Sequence, residues 1–173
     1  RKLFLLDKIC SIYVSVIRGT PVLVQLLIMY YTVFVNMDNT IIVGIVTFGV
    51  NSGAYVAEIA RAGIESVDKG QMEAGLSLGL NRRQAMFFII LPQAVKNILP
   101  ALGNEFIALL KETSVVGSIP LIDLTKAGDI VRSRTYEAFF PLYSVAVCYL
   151  ILVLGLGALQ KKLERRLSYS DRN

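Results

Sequence analysis

The sequence predicts an all-α fold, an integral membrane bundle of about four helical spans, and three uncharged runs carry most of that prediction. They comprise 19 residues between Arg18 and Asp38, 19 between Asp38 and Glu58, and 23 between Glu137 and Lys161. Roughly 20 apolar residues cross a hydrocarbon core of about 30 Å. The composition agrees, because 54% of the residues are hydrophobic and 18% are charged, against about 45–50% and about 25% in soluble domains.

Breaks or polar residues bound each predicted span. The spans are predicted at about residues 21–36, 40–62, 95–119 and 138–160, within a single transmembrane domain of residues 1–173. Gly19 and Pro21 punctuate the chain before the first span, and Pro21 suits the first turn of a helix. Residues 1–18 mix charged and apolar positions, which predicts either an amphipathic interfacial helix or the tail of a preceding span. Pro100 and Gly103 predict an irregular third span.

The distribution of lysine and arginine predicts the orientation of these spans. If both chain ends and the polar loop of residues 63–92 face the cytoplasm, fourteen basic residues lie on that side and four on the other. The positive-inside rule favours this arrangement, with the C-terminus and the loop in the cytoplasm. It also explains the net charge of +5 by contact with a lipid bilayer, so we expect no nucleic-acid partner.

The residue types that are absent exclude several function classes. The chain has no histidine, the commonest general base and metal ligand, and no GxxxxGK[ST] loop for a nucleotide phosphate. Cys10 and Cys148 are far apart and are interpreted as small apolar fillers. We therefore predict no catalytic residue, no metal site and no cofactor bound by this chain.

The loop of residues 63–92 is predicted to form two short helices joined by a tight turn. Gln71 to Leu78 are good helix formers, and Gly79 suits the left-handed position that follows a helix end. Asn81 lies three residues before Gln84, the spacing of a capping box. Leucines cluster near the turn, at Leu76, Leu78 and Leu80. Either a partner covers them or they tuck back under the loop.

The motif in this loop resembles the EAA loop of permease subunits of binding-protein-dependent ABC importers. The family pattern is E-A-A, three residues, G, nine residues, I, one residue and L-P. The matching residues are Glu73-Ala74-Gly75, Gly79, Ile89 and Leu91-Pro92, with Gly75 where the family usually has alanine. Further stretches between Tyr13 and Leu167, among them "RGTPVLVQLL" and "GAYVAEIARAGIESVDKGQ", resemble the polar-amino-acid subfamily.

The resemblance implies a fold of the type I ABC importer permease kind, in a bacterial plasma (inner) membrane, with a fifth N-terminal span that we expect to be missing here. Two permease subunits, which we expect to be identical, form the pore, and separate ATPase subunits bind the ATP. An extracytoplasmic binding protein or domain delivers an amino acid. The EAA loop docks on the ATPase, and the residues expected to do so are Glu73, Ala74, Gly75, Leu76, Gly79, Leu80, Asn81, Arg82 and Arg83.

Polar residues inside the predicted spans are the candidates for solute binding. Glu105, beside Asn104, lies within a predicted span, where a charge is costly and therefore a functional hypothesis. It is expected to accept the solute's ammonium, while Asn51 and Ser52 donate to its carboxylate and Gln25 adds a hydrogen bond. The alternative is interhelical hydrogen bonding for the three uncharged residues. For Glu105 the alternative is a pair with Lys111 or with a residue across the subunit interface.

Other functions remain open at the level of sequence. The same architecture could import another small solute, and a stand-alone secondary transporter or a membrane scaffold is a different class. The coupling loop argues against that class, because an ion-driven carrier needs no cytoplasmic ATPase dock. Glu58 and Arg61, three residues apart, are predicted to form an ion pair on one helix face.

Overall fold

The computed structural model describes the backbone of residues 2–169 and the side chains of residues 4–165. Across that range every regular element is helical, which confirms the predicted all-α fold. The α-helices are α1 Lys2–Arg18, α2 Val22–Ile28, α3 Thr40–Glu65, α4 Lys69–Ser77, α5 Arg82–Ala85, α6 Leu91–Glu112, α7 Leu124–Thr135 and α8 Phe139–Tyr169. Two π-helical turns, Met29–Val33 and Met86–Ile90, and a 3₁₀ turn, Thr113–Ser118, extend them.

Three continuous helical stretches of the described chain are long and apolar enough to cross a membrane. They are Thr40–Glu65, Arg82–Ser118 and Phe139–Arg165. The first agrees with the predicted span at 40–62. The last continues well beyond the predicted end at residue 160, and the extreme C-terminus lies outside the described residues.

The predicted span at residues 21–36 differs from the structure. Val22–Val33 is too short to cross alone, and it qualifies only together with Phe4–Arg18, from which it is bent by 104°. Pro21 explains the bend, because it adopts an extended conformation with φ −62° and ψ 136° just before α2, and proline has no N–H with which to continue the hydrogen bonding of α1. The structure therefore has four spans only if the bent pair Phe4–Arg18 and Val22–Val33 is counted as one span.

The prediction of an irregular third span around Pro100 and Gly103 is wrong. Pro100 lies inside α6, which is continuous from Leu91 to Glu112. Proline removes the hydrogen bond to the carbonyl four residues earlier, a loss that membrane helices tolerate. Gln160 of α8 donates from Nε2 to the Pro100 carbonyl oxygen at 3.0 Å, which ties α8 to α6 at this point. Gly103 serves close packing instead, because a Cβ built there would lie 2.8 Å from Gln160 Cδ. The departure from α-helical geometry comes later, at Thr113–Ser118.

The helix that begins at Arg82, after the predicted turn at Gly79, also continues further than predicted. Residues 82–118 form one helical stretch of 37 residues, with no break between the loop and the third span. Pro92 would leave the Phe88 carbonyl without its α-helical donor, and the π-helical turn Met86–Ile90 precedes it. Gln93 donates from Nε2 to the Ile89 carbonyl oxygen at 2.9 Å. Pro92 is therefore accommodated by a local change from α-helical to π-helical winding, and the helix does not end there.

Packing holds the loop against the membrane helices α3 and α6. Gly63 of α3 is buried, and a Cβ there would overlap Ile98 Cγ1 of α6. Below this crossing lies an apolar cluster formed by Val67, Ile90 and Ala94, surrounded by Ile64, Met72, Met86, Ile89 and Ile98. By contrast, the span Phe139–Arg165 of α8 buries no residue except Pro141. Its apolar side chains are left to contact lipid or other subunits.

Candidate coupling loop and polar residues of the spans

The end of α4 confirms the predicted left-handed turn. Gly79 has φ +86°, a conformation that glycine adopts without a steric penalty. The Leu80 N–H donates to the Gly75 carbonyl oxygen at 3.1 Å, and the Gly79 N–H donates to the Leu76 carbonyl oxygen at 3.0 Å. These two bonds form a Schellman motif, which satisfies carbonyls that the helix end leaves unpaired.

The start of α5 confirms the predicted capping box. The Gln84 N–H donates to Asn81 Oδ1 at 3.0 Å, and the Asn81 N–H donates to Gln84 Oε1 at 2.9 Å. The α4–α5 turn is thus fixed on both sides by local hydrogen bonds, one set ending α4 and the other starting α5. A turn so defined presents the same surface whenever it meets a partner.

Gly75 has a packing role that the motif alone did not reveal. It is the buried residue of α4, and a Cβ built on it would lie 2.8 Å from Ile89 Cδ1 and 3.2 Å from Ala85 Cβ. The absence of a side chain therefore lets α4 lie directly on the helix that leads into the membrane. The sequence indicated only that Gly75 stands where the family usually has alanine.

Of the three leucines near the turn, two are exposed, as expected if a partner covers them, and one tucks back under the loop. Leu78 is 82% exposed and Leu76 is 37% exposed, so both present apolar surface outward. Leu80 is half-buried, with Cδ1 3.8 Å from the Cβ position of Gly75, so it tucks back. Leu78 is absent from the motif pattern, and the signal that could have identified it is its position as the last residue before the left-handed glycine.

Most of the other residues predicted to couple to an ATPase lie on the open surface of the turn. The exposed ones are Glu73, Ala74, Gly79, Asn81, Arg82 and Arg83. The structure therefore brings the predicted coupling residues onto one compact element, with Gly75 and Leu80 on its inner side.

Two of the predicted solute-binding residues bind each other. Asn51 Nδ2 of α3 donates to Gln25 Oε1 of α2 at 3.0 Å, and Asn51 is 2% exposed. Gln25 Nε2 in turn donates to the Ile17 carbonyl oxygen at 2.8 Å and to Thr20 Oγ1 at 2.7 Å. This is the interhelical hydrogen bonding given above as the alternative, and it ties the bend between α1 and α2 to α3. Ser52 follows on α3 and is half-buried.

The other two predicted solute-binding residues lie on α6. Asn104 Oδ1 accepts a hydrogen bond from Gln160 Nε2 of α8 at 3.1 Å, so Asn104 also links two helices. Glu105 is half-buried, and the ion pairs of the described residues do not join it to Lys111. Hydrogen bonds thus place Gln25 and Asn51 in an α2–α3 pair and join Asn104 to Gln160 in an α6–α8 pair, with Ser52 and Glu105 outside both.

Four charged residues form a network where α1 meets α3. Arg61 pairs with Glu58, as predicted, and its Nη1 lies 3.0 Å from Glu65 Oε2. Arg18 Nη1 lies 3.5 Å from Glu58 Oε2, and the Arg18 guanidinium lies 5.4 Å from the Tyr55 ring centroid. The sequence indicated only the Glu58–Arg61 pair, because Arg18 is 40 residues from Glu58 along the chain.

Comparison with known proteins gives a consistent result along the chain. The family model described as "Binding-protein-dependent transport system inner membrane component" matches residues 1–169. A putative glutamine transport system permease protein of Rickettsia felis is 43% identical over 161 residues, which cover 91% of this chain and 73% of that protein. The glutamine transport system permease protein of Escherichia coli K12 is 38% identical over 165 residues, covering 93% and 75%.

Solved structures agree with the fold. An amino acid ABC transporter crystallised with histidines superposes with a TM-score of 0.84 at 48% identity, covering 90% of this chain and 74% of that one. The inward-facing MetNI methionine ABC transporter superposes with a TM-score of 0.78 at 21% identity, covering 91% and 73%, which shows the fold alone. The expected type I importer fold is thereby confirmed, and the chain belongs to the family of binding-protein-dependent transport system inner membrane components, the permease subunits of bacterial ABC importers.

Proposed function

We propose that this chain is the pore-forming subunit of an ATP-driven importer for a polar amino acid, with glutamine as the first candidate. Relatives at 38% and 43% identity are named as glutamine permeases, and a structural neighbour at 48% identity is an amino acid transporter. The chain itself binds no ATP and no cofactor in this proposal. ATP hydrolysis takes place in a separate ATPase subunit.

The observation that carries the proposal is the continuity between the α4–α5 turn and the span that contains Glu105. Arg82–Ser118 is one helical stretch of 37 residues, about 55 Å long at 1.5 Å per residue. A displacement of the turn is therefore transmitted along a single helix to the middle of the bundle. This arrangement suits a partner that moves the turn while the solute occupies the interior.

The partner ATPase is proposed to cover the exposed apolar side of the turn. Leu78, at 82% exposure, would be the central apolar contact, and Arg82 and Arg83 would pair with acidic groups at the rim. The loop then faces the cytoplasm, as the lysine and arginine distribution favours. A second permease chain, identical in the simplest assembly, completes the pore, and an extracytoplasmic binding protein or domain delivers the solute.

Glu105 is the residue proposed to contact the solute's ammonium group. Its carboxylate is half-buried in a membrane span, and it has no ion-pair partner among the described residues. An unpaired charge at this depth is expensive unless a cavity or a ligand contacts it. Gln25, Asn51 and Asn104 hold helices together through these hydrogen bonds. Asn51 Oδ1 is buried without a hydrogen-bond partner among the described residues and is the amide atom of this set that is free to accept a bond.

Co-purification with the ATPase tests the coupling function. The full-length permease is expressed with its candidate ATPase, and the complex is isolated in detergent from wild type and from Leu78→Asp. We expect the variant to lose the ATPase, because a charge replaces the apolar contact. Ser77→Asp is the matched control, since it adds the same charge one residue away and keeps the leucine. Uptake of labelled glutamine by wild type without any ATPase would overturn the proposal and favour a secondary transporter.

A further inference from the structure

Gln160 of α8 bonds to two neighbouring turns of α6 at once. Its Nε2 donates to the Pro100 carbonyl oxygen at 3.0 Å and to Asn104 Oδ1 at 3.1 Å. Gly103 lies on the same face of α6, because residues three and four apart are neighbours on a helix, and a Cβ there would lie 2.8 Å from Gln160 Cδ. The side chain therefore fits a notch on α6 and bonds to both sides of it. We call these contacts of Gln160 with Pro100, Gly103 and Asn104 the Gln160 clasp.

The amide nitrogen of Gln160 is already committed to protein acceptors. It carries two hydrogens, and three acceptors lie within 3.1 Å of it, the third being Glu164 Oε1 at 2.8 Å. Glu164 lies one turn further along α8, so its carboxylate holds the amide from the same helix. A donor shared in this way has no hydrogen to spare for a solute. The clasp therefore joins two helices and is not itself a binding group.

The clasp lies where α6 needs a second support. Before Pro100, α3 holds α6 through the close approach of Gly63 and Ile98. Asn97 Nδ2 adds a hydrogen bond to Ser66 Oγ at 2.9 Å. Pro100 then removes one backbone hydrogen bond, which makes this a point where a helix can bend or twist. The Gln160 clasp begins at that proline, so it holds the part of α6 that follows.

Glu105 is the first residue after the clasp. Pro100 and Asn104 are about 6 Å apart along the helix axis, and consecutive residues are about 100° apart around it. A helix held at both points cannot rotate, and the direction of the next side chain is fixed with it. Packing alone would permit rotation, because an open groove of about 480 Å³ lies beside the clasp, lined by Phe106 of α6 and Leu156 of α8.

We propose that Gln160 is a positioning residue, which holds α6 beyond Pro100 and thereby fixes the direction of the Glu105 carboxylate. The consequence for transport rests on the proposed function, in which this carboxylate contacts the ammonium of the solute. Without the clasp, the carboxylate turns away from the solute and affinity falls. The α4–α5 turn is unaffected, so the step driven by the ATPase proceeds as before.

Two variants break the clasp in different ways. Gln160→Met keeps an unbranched side chain of similar length and removes the donors. Gly103→Ala keeps the glutamine, and its Cβ displaces the Gln160 side chain from the notch. Ser144→Ala is the matched control, because it removes a polar group of α8 that donates within its own helix, to the Phe140 carbonyl oxygen at 2.8 Å.

Cysteine labelling measures the direction of α6 without reference to transport. The full-length permease, in membranes and in complex with its ATPase, has its own cysteines replaced by serine, Cys10 and Cys148 among them. Glu105→Cys or Phe106→Cys then supplies one reporter, whose reaction rate with a water-soluble maleimide is read on the permease band. A rotation of α6 changes the ratio of the two rates, by threefold or more as we expect, whereas general loosening of the bundle raises both rates alike.

Uptake of labelled glutamine by the complete transporter is measured in the same clasp variants with native cysteines. We expect Gln160→Met and Gly103→Ala each to raise the KM at least fivefold with Vmax within twofold of wild type. Neither should raise it further in a Glu105→Gln background, because both act through that carboxylate.

The labelling ratio decides the proposal, whatever the uptake shows. A ratio that stays constant in both clasp variants, or that changes equally in Ser144→Ala, overturns the positioning role. A changed ratio with an unchanged KM supports the positioning role and refutes the contact of Glu105 with the solute, so the two failures are distinguishable. If Gln160→Met does not assemble with the ATPase, Gly103→Ala alone gives the answer.

Discussion

Gly63 and Ile98 meet so closely that a single added methyl group on Gly63 would overlap the Ile98 side chain. This contact sets the crossing of α3 and α6 directly above the apolar cluster that supports the α4–α5 turn. Small residues at membrane helix crossings let the backbones approach and gain van der Waals packing. This contact therefore sets the position of the loop relative to the membrane helices.

Gly63→Val is expected to destabilise the permease by about 1–3 kcal/mol, the usual cost of overpacking a filled site. Thermal unfolding in detergent measures the effect. Gly49→Val is the matched control on the same helix, because no atom lies within 4 Å of a Cβ built at Gly49. Equal losses for both variants would show that the helix crossing is not the cause.

Gly79→Ala is expected to weaken the turn by about 1–2 kcal/mol, the cost of a left-handed conformation for a residue with a Cβ. No atom surrounds the Cβ position of Gly79, so the cost is conformational and not steric. Gly79→Asn should lose clearly less, because asparagine tolerates this conformation. Hydrogen exchange of the Leu80 amide, which donates to Gly75, reports the turn directly. Unchanged exchange in Gly79→Ala would contradict the prediction.

Gly75→Ala places two effects in opposition. Alanine favours the helix by about 1 kcal/mol over glycine, but its Cβ would lie 2.8 Å from Ile89 Cδ1. The contact is with the end of a flexible side chain, so we expect the two effects nearly to cancel and the free energy of unfolding of Gly75→Ala to be close to that of wild type. Ile89→Val removes that atom, and the double variant should be more stable than Ile89→Val alone. A double variant that is less stable would place the conflict at Ala85 instead.

Asn51 and Gln25 are expected to be coupled by about 0.6 kcal/mol, the average for interhelical hydrogen bonds in a membrane protein. A double-mutant cycle of Asn51→Ala and Gln25→Ala, followed by thermal unfolding, measures this coupling. Additive effects would mean that the 3.0 Å bond contributes nothing and that both side chains are free for another role.

Glu105→Gln is expected to raise the KM for glutamine uptake at least tenfold, because the carboxylate proposed to contact the solute's ammonium would lose its charge. Glu137→Gln, at an exposed position just before α8, is the control for loss of one carboxylate charge. Uptake and selectivity that do not change in Glu105→Gln would remove this residue from the solute site.

The features that the sequence predicted well depend on neighbours a few residues away. The Gly79 turn and the Asn81 cap are decided by three to six consecutive residues, and both were confirmed. The features it missed depend on distant partners. Pro100 predicted a break from local sequence alone, whereas the packing of α8 on this part of α6 involves Gln160, 60 residues further along the chain. Likewise, nothing in the sequence near Glu58 indicates that Arg18 will lie beside it.

The unbroken helix from Arg82 to Ser118 also constrains how this family can change its length. One residue added between the turn and Glu105 would rotate that carboxylate by about 100° around the helix axis and advance it by about 1.5 Å. Insertions in this stretch would therefore alter the direction in which Glu105 points, even if every contact of the turn survived. The π-helical winding at Met86–Ile90 is the position in this stretch where an extra residue is already accommodated. We expect homologues to keep the number of residues between the turn and this carboxylate fixed.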